Sequence, residues 1–303
     1  MRGSGTKPDP QHIREGMDVR LSGRFDPQES CKLRLAAISA AKSVEVQLKT
    51  AFRSNMDIEF KSDRRDIVTA HDKSAEKAIC KHLLASVPDS SFVGEEGGDW
   101  GSGRIKWFID PIDGTANFAR GLPNWCISIG AVSEDRIIAG VIVDPTGCNV
   151  FSADLIGAYH NNTNLKSTGI LDEKLSTILC SYPSARDLIK DGSNTALARF
   201  GELVETFSAV RRIGSAALNL AYVAAGWADG AANFSVNAWD ITAGILILRQ
   251  AGGHFLPLDM GFTAKDTPDY GHSGYVALAN GAGCPKLISI GMEIASQRRQ
   301  SKV

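Results

Sequence analysis

The sequence predicts a layered α+β protein, with sheets and helices packed between them. Three observations carry that prediction. Residues 126–155 contain three consecutive strand-like runs, CISIGAVSE, RIIAGVIVD and NVFSADL, joined by turn residues, which read as an antiparallel meander. After about residue 172, short apolar strands alternate with helical patterns. Two amphipathic helices precede both regions.

The first helix spans Ser30 to Phe52, where Leu35, Ile38, Ala41, Val44, Leu48 and Phe52 recur at helical spacing. A second runs from about Val68 to Leu84, with Ala75, Ile79 and Leu83 on one side. SSFVGEEGGDW follows, a short strand ending at Gly94, two glutamates and more glycine. Ile105 to Ile109 is another short strand. The meander comes next, and AYHNNTNLKST reads as a loop. The alternating half then runs in order: TILCSY (strand), residues 193–206 (helix), AVRRIG (strand), SAALNLAYVAAG (helix), GAANF (strand) and DITAGILILRQAGG (helix). Two strands near 254 and 275 and a helix over 284–298 complete it. We expect a loose leader over residues 1–28, whose MRGSG opening resembles a tag remnant. A first subdomain over 29–170 and a second over 171–303 would form one catalytic unit.

The 303 residues carry a formal charge of −1, so no basic excess marks a nucleic-acid polymer or an anionic membrane as partner. No apolar run reaches the roughly 18–20 residues that span a bilayer. The six cysteines are scattered without a CxxC pair, which favours reduced thiols and a cytoplasmic setting. Neither GxxxxGK[ST] nor a GxGxxG opening a helix is present, so the glycines near residue 97 do not read as a nucleotide loop.

Three acidic sites share one pattern: carboxylates at the edge of an apolar element, beside small or turn-forming residues. They are Glu95-Glu96 after SFVG, Asp110 and Asp113 in WFIDPIDGTANF, and Asp240 after Trp239. Singly, each is a turn, a solvated loop charge or a helix cap. Together they point to a metal site. Pro111 sets a bend that turns both aspartates toward one point and frees the Ile112 carbonyl. Carboxylates and a carbonyl are hard oxygen ligands suited to Mg²⁺, and without a cation converging carboxylates repel. Gly114-Thr115 opens a helical turn whose N–H groups can receive a phosphate.

Trp107 to Phe118, with Gly94-Glu95-Glu96 upstream and Trp239-Asp240-Ile241-Thr242-Ala243-Gly244 downstream, resembles the inositol monophosphatase family, Mg²⁺-dependent and lithium-sensitive phosphatases. The similarity extends from about residue 33 to 298. It implies an αβαβα sandwich of sugar-phosphatase type and a homodimer. It further implies two or three Mg²⁺ per site, with Mn²⁺ as a substitute. Glu95, Asp110 and the Ile112 carbonyl would hold one ion, and Asp110, Asp113 and Asp240 a second. Thr115, with Glu95, would orient and deprotonate the attacking water. The amides of Gly114 and Thr115 would grip the phosphate. Lys61, Asp66 and Asp72 match a family segment that approaches the metals.

For the substrate, the resemblance implies a small phosphorylated molecule, with myo-inositol 1-phosphate first. Gly214, Ser215 and Ala216 match a stretch that touches the substrate ring, and Ser184 is a further candidate. Asn233 stands where inositol-selective members carry a glutamate, which weakens the case for inositol. Fructose 1,6-bisphosphate, a nucleotide 3′-phosphate and histidinol phosphate are the alternatives, and a catalytically silent scaffold is the non-enzyme one.

Overall fold

The computed structural model describes residues 25–54, 58–60, 67–261, 263–264 and 266–301. Helix α1 (Pro27–Ala51) begins where Asp26 caps the Gln28 amide and Pro27 pre-sets the first turn. A two-stranded ribbon, β1 (Ile58–Phe60) with β2 (Ile67–Thr69), precedes α2 (Ala70–Ser86). Thr69 and Asp72 close a reciprocal capping box at the start of α2.

The main sheet follows: β3 (Ser90–Gly94), β4 (Gly98–Gly101), β5 (Ile105–Asp113), then helix α3 (Thr115–Arg120), then β6 (Cys126–Ser133), β7 (Arg136–Asp144), β8 (Asn149–Asp154), β9 (Ala158–His160) and β10 (Thr163–Asn164). Their spatial order is β10-β9-β8-β7-β6-β5-β3-β4, antiparallel throughout except for β3 beside β5. The second half comprises β11 (Thr177–Cys180), α4 (Ala185–Asp191), α5 (Ser193–Thr206), β12 (Ala209–Arg211), α6 (Ala216–Ala224), β13 (Gly230–Asn233), α7 (Ala238–Gln250), β14 (His254–Leu258), β15 (Gly274–Leu278) and α8 (Pro285–Gln300). Its sheet runs β12-β11-β13-β15-β14, with a parallel core of three strands.

The layers stack as expected. Helices α1 and α2 cover one face of the large sheet, α6 and α7 lie between the sheets, and α4, α5 and α8 cover the far side. Helix α7 sits directly on the large sheet: a Cβ on Gly140 would lie 2.6 Å from the Ala243 carbonyl. This close seat fixes the position of Asp240 near the start of α7.

Four sequence expectations need correction. AYHNNTNLKST is not all loop, because it supplies β9 and β10. Strand β5 does not stop at Ile109 but continues to Asp113. A short helix, α4, lies where none was expected. Helix α1 starts at Pro27, inside the span read as a leader, and residues 1–24 lie outside the described ones. All six cysteines are free thiols. Among the described residues no helix is long and apolar enough to cross a membrane.

Candidate active site

The site is built on an irregularity in β5. Residues three apart on a regular strand face opposite sides of the sheet. Yet Asp110 pairs with Ser128 and Asp113 with Cys126, so β5 advances three residues while β6 advances two. That extra residue is a β-bulge, and it returns both aspartates to one side. Pro111 suits the bulge because it has no N–H to give to the ladder. The Asp110 carboxylate accepts the Ile112 amide at 3.0 Å, which tightens the bend.

Gly114 adopts a left-handed conformation, φ 98°, as the first residue of the α3 turn. A Cβ there would also lie 2.7 Å from the Asn124 carbonyl, so conformation and packing both require glycine. The Thr115 hydroxyl lies 2.9 Å from the Ile112 carbonyl and 3.1 Å from Asp72 Oδ1. Asp72 also accepts the amide and hydroxyl of Thr69, and is 1 % exposed. The α2 cap thus holds this carboxylate against Thr115.

The second half reaches the same point through helix starts. Ser215 donates from Oγ to Asp113 Oδ2 at 2.6 Å, the Ala217 amide donates to the same oxygen at 2.6 Å, and the Ala216 amide donates to Oδ1 at 3.3 Å. Positive partial charge at the start of α6 therefore meets a carboxylate more than a hundred residues away. Asn117 ties the two halves together, donating to the carbonyls of Asn124 and Ile213 at 2.6 and 2.8 Å. Asp240, in the first turn of α7, accepts the Asn237 amide at 2.8 Å.

The electrostatics are those of an acidic cluster, in which burial and neighbouring carboxylates are the largest influences. Burial pushes the Asp110 carboxyl well above its ordinary range, and Glu95, Asp113, Asp240 and Asp72 add to the rise. Burial likewise raises Asp113, against its bonds to Ser215, Ala217 and Ala216. Asp240 is raised by burial and then by Asp113 and Glu95, while the Asn237 amide and the contact with Asp110 oppose the rise. Burial holds Asp72 at about 6. Among the described residues no three acidic, His or Cys groups stand close enough together to hold a metal ion as they are placed. The donor set is nonetheless the right chemistry for a hard divalent cation: several carboxylates and a carbonyl, all oxygen, mutually repelling and away from bulk water.

The remaining expected residues fall out as follows. Glu95 lies in the turn between β3 and β4, its amide bonded to the Ile109 carbonyl at 3.2 Å. Gly214 has φ 76° and precedes Ser215, the cap of α6. Asn233 ends β13, and its side-chain oxygen accepts the Ser235 amide at 3.2 Å. Ser184 is committed to capping α4: its hydroxyl donates to Asp187 at 2.6 Å and accepts that residue's amide at 3.3 Å. Lys61 and Asp66 lie outside the described residues. Asn117 was missed as a structural tie, although it sits inside the quoted WFIDPIDGTANF stretch. Only its distant partner, Ile213, gives it that role.

Known proteins resemble this chain in sequence and fold. The chain is 38% identical over 192 residues to the Nus factor SuhB of Xylella fastidiosa, covering 63% of this chain and 69% of that one. It is 32% identical to a fructose-1,6-bisphosphatase/inositol-1-monophosphatase of Aquifex aeolicus, covering 77% and 87% of the two chains. The solved structure of an IMPase from Thermotoga maritima superimposes with a TM-score of 0.73 at 27% identity, covering 86% of this chain and 97% of that one. The bulged β5, the acidic cluster and both sheets fall within residues 30–296, the span that matches the inositol monophosphatase family as a whole. By that match the chain belongs to the inositol monophosphatase family.

Proposed function

We propose that the chain is a Mg²⁺-dependent phosphomonoesterase that hydrolyses a small sugar-type phosphate, with myo-inositol 1-phosphate as first candidate. The observation that carries this reading is the convergence of Asp110, Asp113 and Asp240, whose carboxyls are all raised above their ordinary range by burial, with Glu95 adding its charge to the rise of Asp110 and Asp240. Glu95, Asp110, Asp113, Asp240 and the Ile112 carbonyl are the residues that would hold two or three Mg²⁺, or Mn²⁺ in their place. Bound there, the metal would lower the pKa of water and neutralise charge on the phosphoryl oxygens.

The protein's own groups do the rest. The Thr115 hydroxyl, set between Asp72 and the Ile112 carbonyl, orients the attacking water together with Glu95. As that water loses a proton to Thr115 Oγ1, Thr115 passes its own to Asp72 Oδ1. A pKa of about 6 suits Asp72 to accept a proton near neutral pH. The amides of Gly114 and Thr115 hold the phosphate. Gly214, Ser215 and Ala216 line the sugar side beside Asp113, with Asn233 as a neutral hydroxyl partner. Ser184 ranks last among the substrate contacts, since its hydroxyl is occupied. Lys61 and Asp66 are proposed to support the metal side. We assign the two halves, 29–170 and 171–303, to one catalytic unit, which works as a cytoplasmic homodimer with neither nucleic acid nor membrane as partner.

A sugar bisphosphate is the second reading. It is favoured by the exposed Arg211 and Arg212 just ahead of Gly214, where a second anionic group would be welcome. A panel of phosphomonoesters and bisphosphates, assayed for free phosphate with and without Mg²⁺, separates the two. Fastest Mg²⁺-dependent release from inositol 1-phosphate is expected. Preference for a bisphosphate selects the second reading, and silence across the panel removes both in favour of a binding scaffold.

A further inference from the structure

Glu76 lies on α2, one turn beyond Asp72, and belongs to none of the three motifs. It is 4 % exposed, and its carboxylate reaches the turn that carries Glu95. Oε2 accepts the Glu96 amide at 2.9 Å and Oε1 accepts the Gly97 amide at 2.7 Å. Two consecutive N–H groups are thus held by the two oxygens of one side chain. A carboxylate can do this, whereas an amide offers one acceptor and an NH₂ that opposes the second N–H.

The neighbouring glycines make room for the same group. A Cβ on Gly94 would lie 2.4 Å from Glu76 Oε1, and a Cβ on Gly97 would lie 2.7 Å from it. Neither glycine has a positive φ, so backbone freedom does not explain them. The Glu76 carboxylate fills the space their side chains would take. Its burial beside Glu95 and Glu96 raises its pKa, and only the two amide bonds work against that rise. A buried acid among acids is costly to keep without a purpose.

We infer that Glu76 is a positioning residue that clamps the Glu95–Gly97 turn from behind and holds the Glu95 carboxylate toward Asp110. The inference rests on the metal-site reading above. The clamp acts through the turn and touches neither substrate nor the expected metal, as supporting groups behind metal ligands do.

The test measures Mn²⁺ binding to the apoprotein by calorimetry, and amide hydrogen exchange over residues 94–101. Glu76→Gln is expected to weaken Mn²⁺ binding about 10- to 100-fold and to speed exchange at the Glu96 and Gly97 amides. KM at saturating Mg²⁺ is expected to stay at the wild-type value. A merely structural role lowers the melting temperature and leaves Mn²⁺ affinity alone. Gly97→Ala is the second variant. It keeps Glu76 but displaces the carboxylate, so the same loss of affinity is expected, and Gly97→Ala adds no further loss when made in a Glu76→Ala background, where the clamp is already gone. This variant carries the test if Glu76→Gln does not fold. Wild-type Mn²⁺ affinity in folded Glu76→Gln, or in Gly97→Ala, overturns the clamp and leaves the metal site standing. Absence of Mn²⁺ binding by the wild type overturns the metal site, and the clamp with it.

Discussion

Two regions of this molecule each bury a pair of carboxylates, and they solve the problem in opposite ways. Between α4 and α8, Asp187 and Asp191 face the Arg298 guanidinium at 2.6 and 2.8 Å, and Arg298 also donates to the Phe234 carbonyl at 2.8 Å. That region carries its own cation. At the end of β5, Asp110 and Asp113 are just as buried, Asp240 approaches them from the start of α7, and the charges that most raise Asp110 are four more carboxylates. Buried charges need partners. Where the chain supplies none among its described residues, the metal ions of the proposed function would be the partner. The contrast separates an acidic cluster that serves architecture from one proposed to serve chemistry, and it does so without reference to motif.

The largest effect is expected at the unpaired cluster. Asp110→Asn removes one negative charge from a group that repels itself, and keeps an acceptor for the Ile112 amide. Activity with Mg²⁺ should fall about 1,000-fold or more, which corresponds to about 4 kcal/mol of transition-state stabilisation. The apoprotein should become more stable by about 1 kcal/mol or more, the trade expected where a site is strained for function. Phosphate release and urea unfolding of the apoprotein check both halves. A variant that loses stability as well as activity breaks the comparison, since it places Asp110 among structural acids.

The paired cluster should respond the other way. Arg298→Met keeps the stem and removes the cation, leaving Asp187 and Asp191 buried and unpaired. A loss of about 3–5 kcal/mol in urea unfolding is expected. Mg²⁺ affinity of the folded variant should stay near the wild-type value, because Arg298 contacts α4 and the residue after Asn233 rather than the acidic cluster. An unfolding loss below about 1 kcal/mol, typical of a solvated surface pair, removes the structural assignment.

Only parts of this contrast are legible in the sequence. The local grammar of Trp107 to Phe118 is legible, because a strand, a bend and a glycine are encoded within a few residues. The bulge is not, since it depends on how β6 pairs with β5, and the strand appeared to stop at Ile109 when it continues through Pro111. One member of the α1 stripe is misplaced: Ala41, Val44 and Leu48 are buried as expected, but Leu35 is 53 % exposed while Leu33 and Ala37 are buried, because the sheet and α2 choose which face is covered. Ser215 was found by family likeness, yet its bond to Asp113 joins residues 102 apart, a separation no periodicity reports. Helix α4 escaped notice because seven residues are too few to show a period. Arg298, near the end of the last helix, looks like any basic residue suited to a helix C-terminus until its partners on α4 are seen.

The smallest effect, and the one that separates charge from geometry, lies in pH. Asp72 is held at about 6 by burial, against an ordinary value of 3.8. A raised acid binds more protons folded than unfolded, so the folded apoprotein loses stability as pH rises through the window between those two values. Below the window both states are protonated and Asp72 imposes no penalty. Above it the penalty is complete, at most about 3 kcal/mol from the size of the shift. Asp72→Asn cannot ionise; its one oxygen still accepts from Thr69, and its NH₂ meets the Thr115 hydroxyl, which can donate to the Ile112 carbonyl instead. The stability difference between that variant and the wild-type apoprotein should therefore be small near pH 4 and grow toward pH 7, in favour of the variant. Metal should reverse the trend in the wild type. Cation binding to carboxylates displaces their protons, so Mg²⁺ should raise the melting temperature more at pH 7 than at pH 5. The Arg298 region already holds its cation, so Arg298→Met should leave this metal-dependent pH trend in place. Melting curves of the three proteins across that range, with and without Mg²⁺, read all of these terms together. A variant-to-wild-type difference that stays flat with pH places the Asp72 carboxylate in a solvated setting, and the contrast between self-neutralised and cation-seeking acids then stops at Asp110, Asp113 and Asp240.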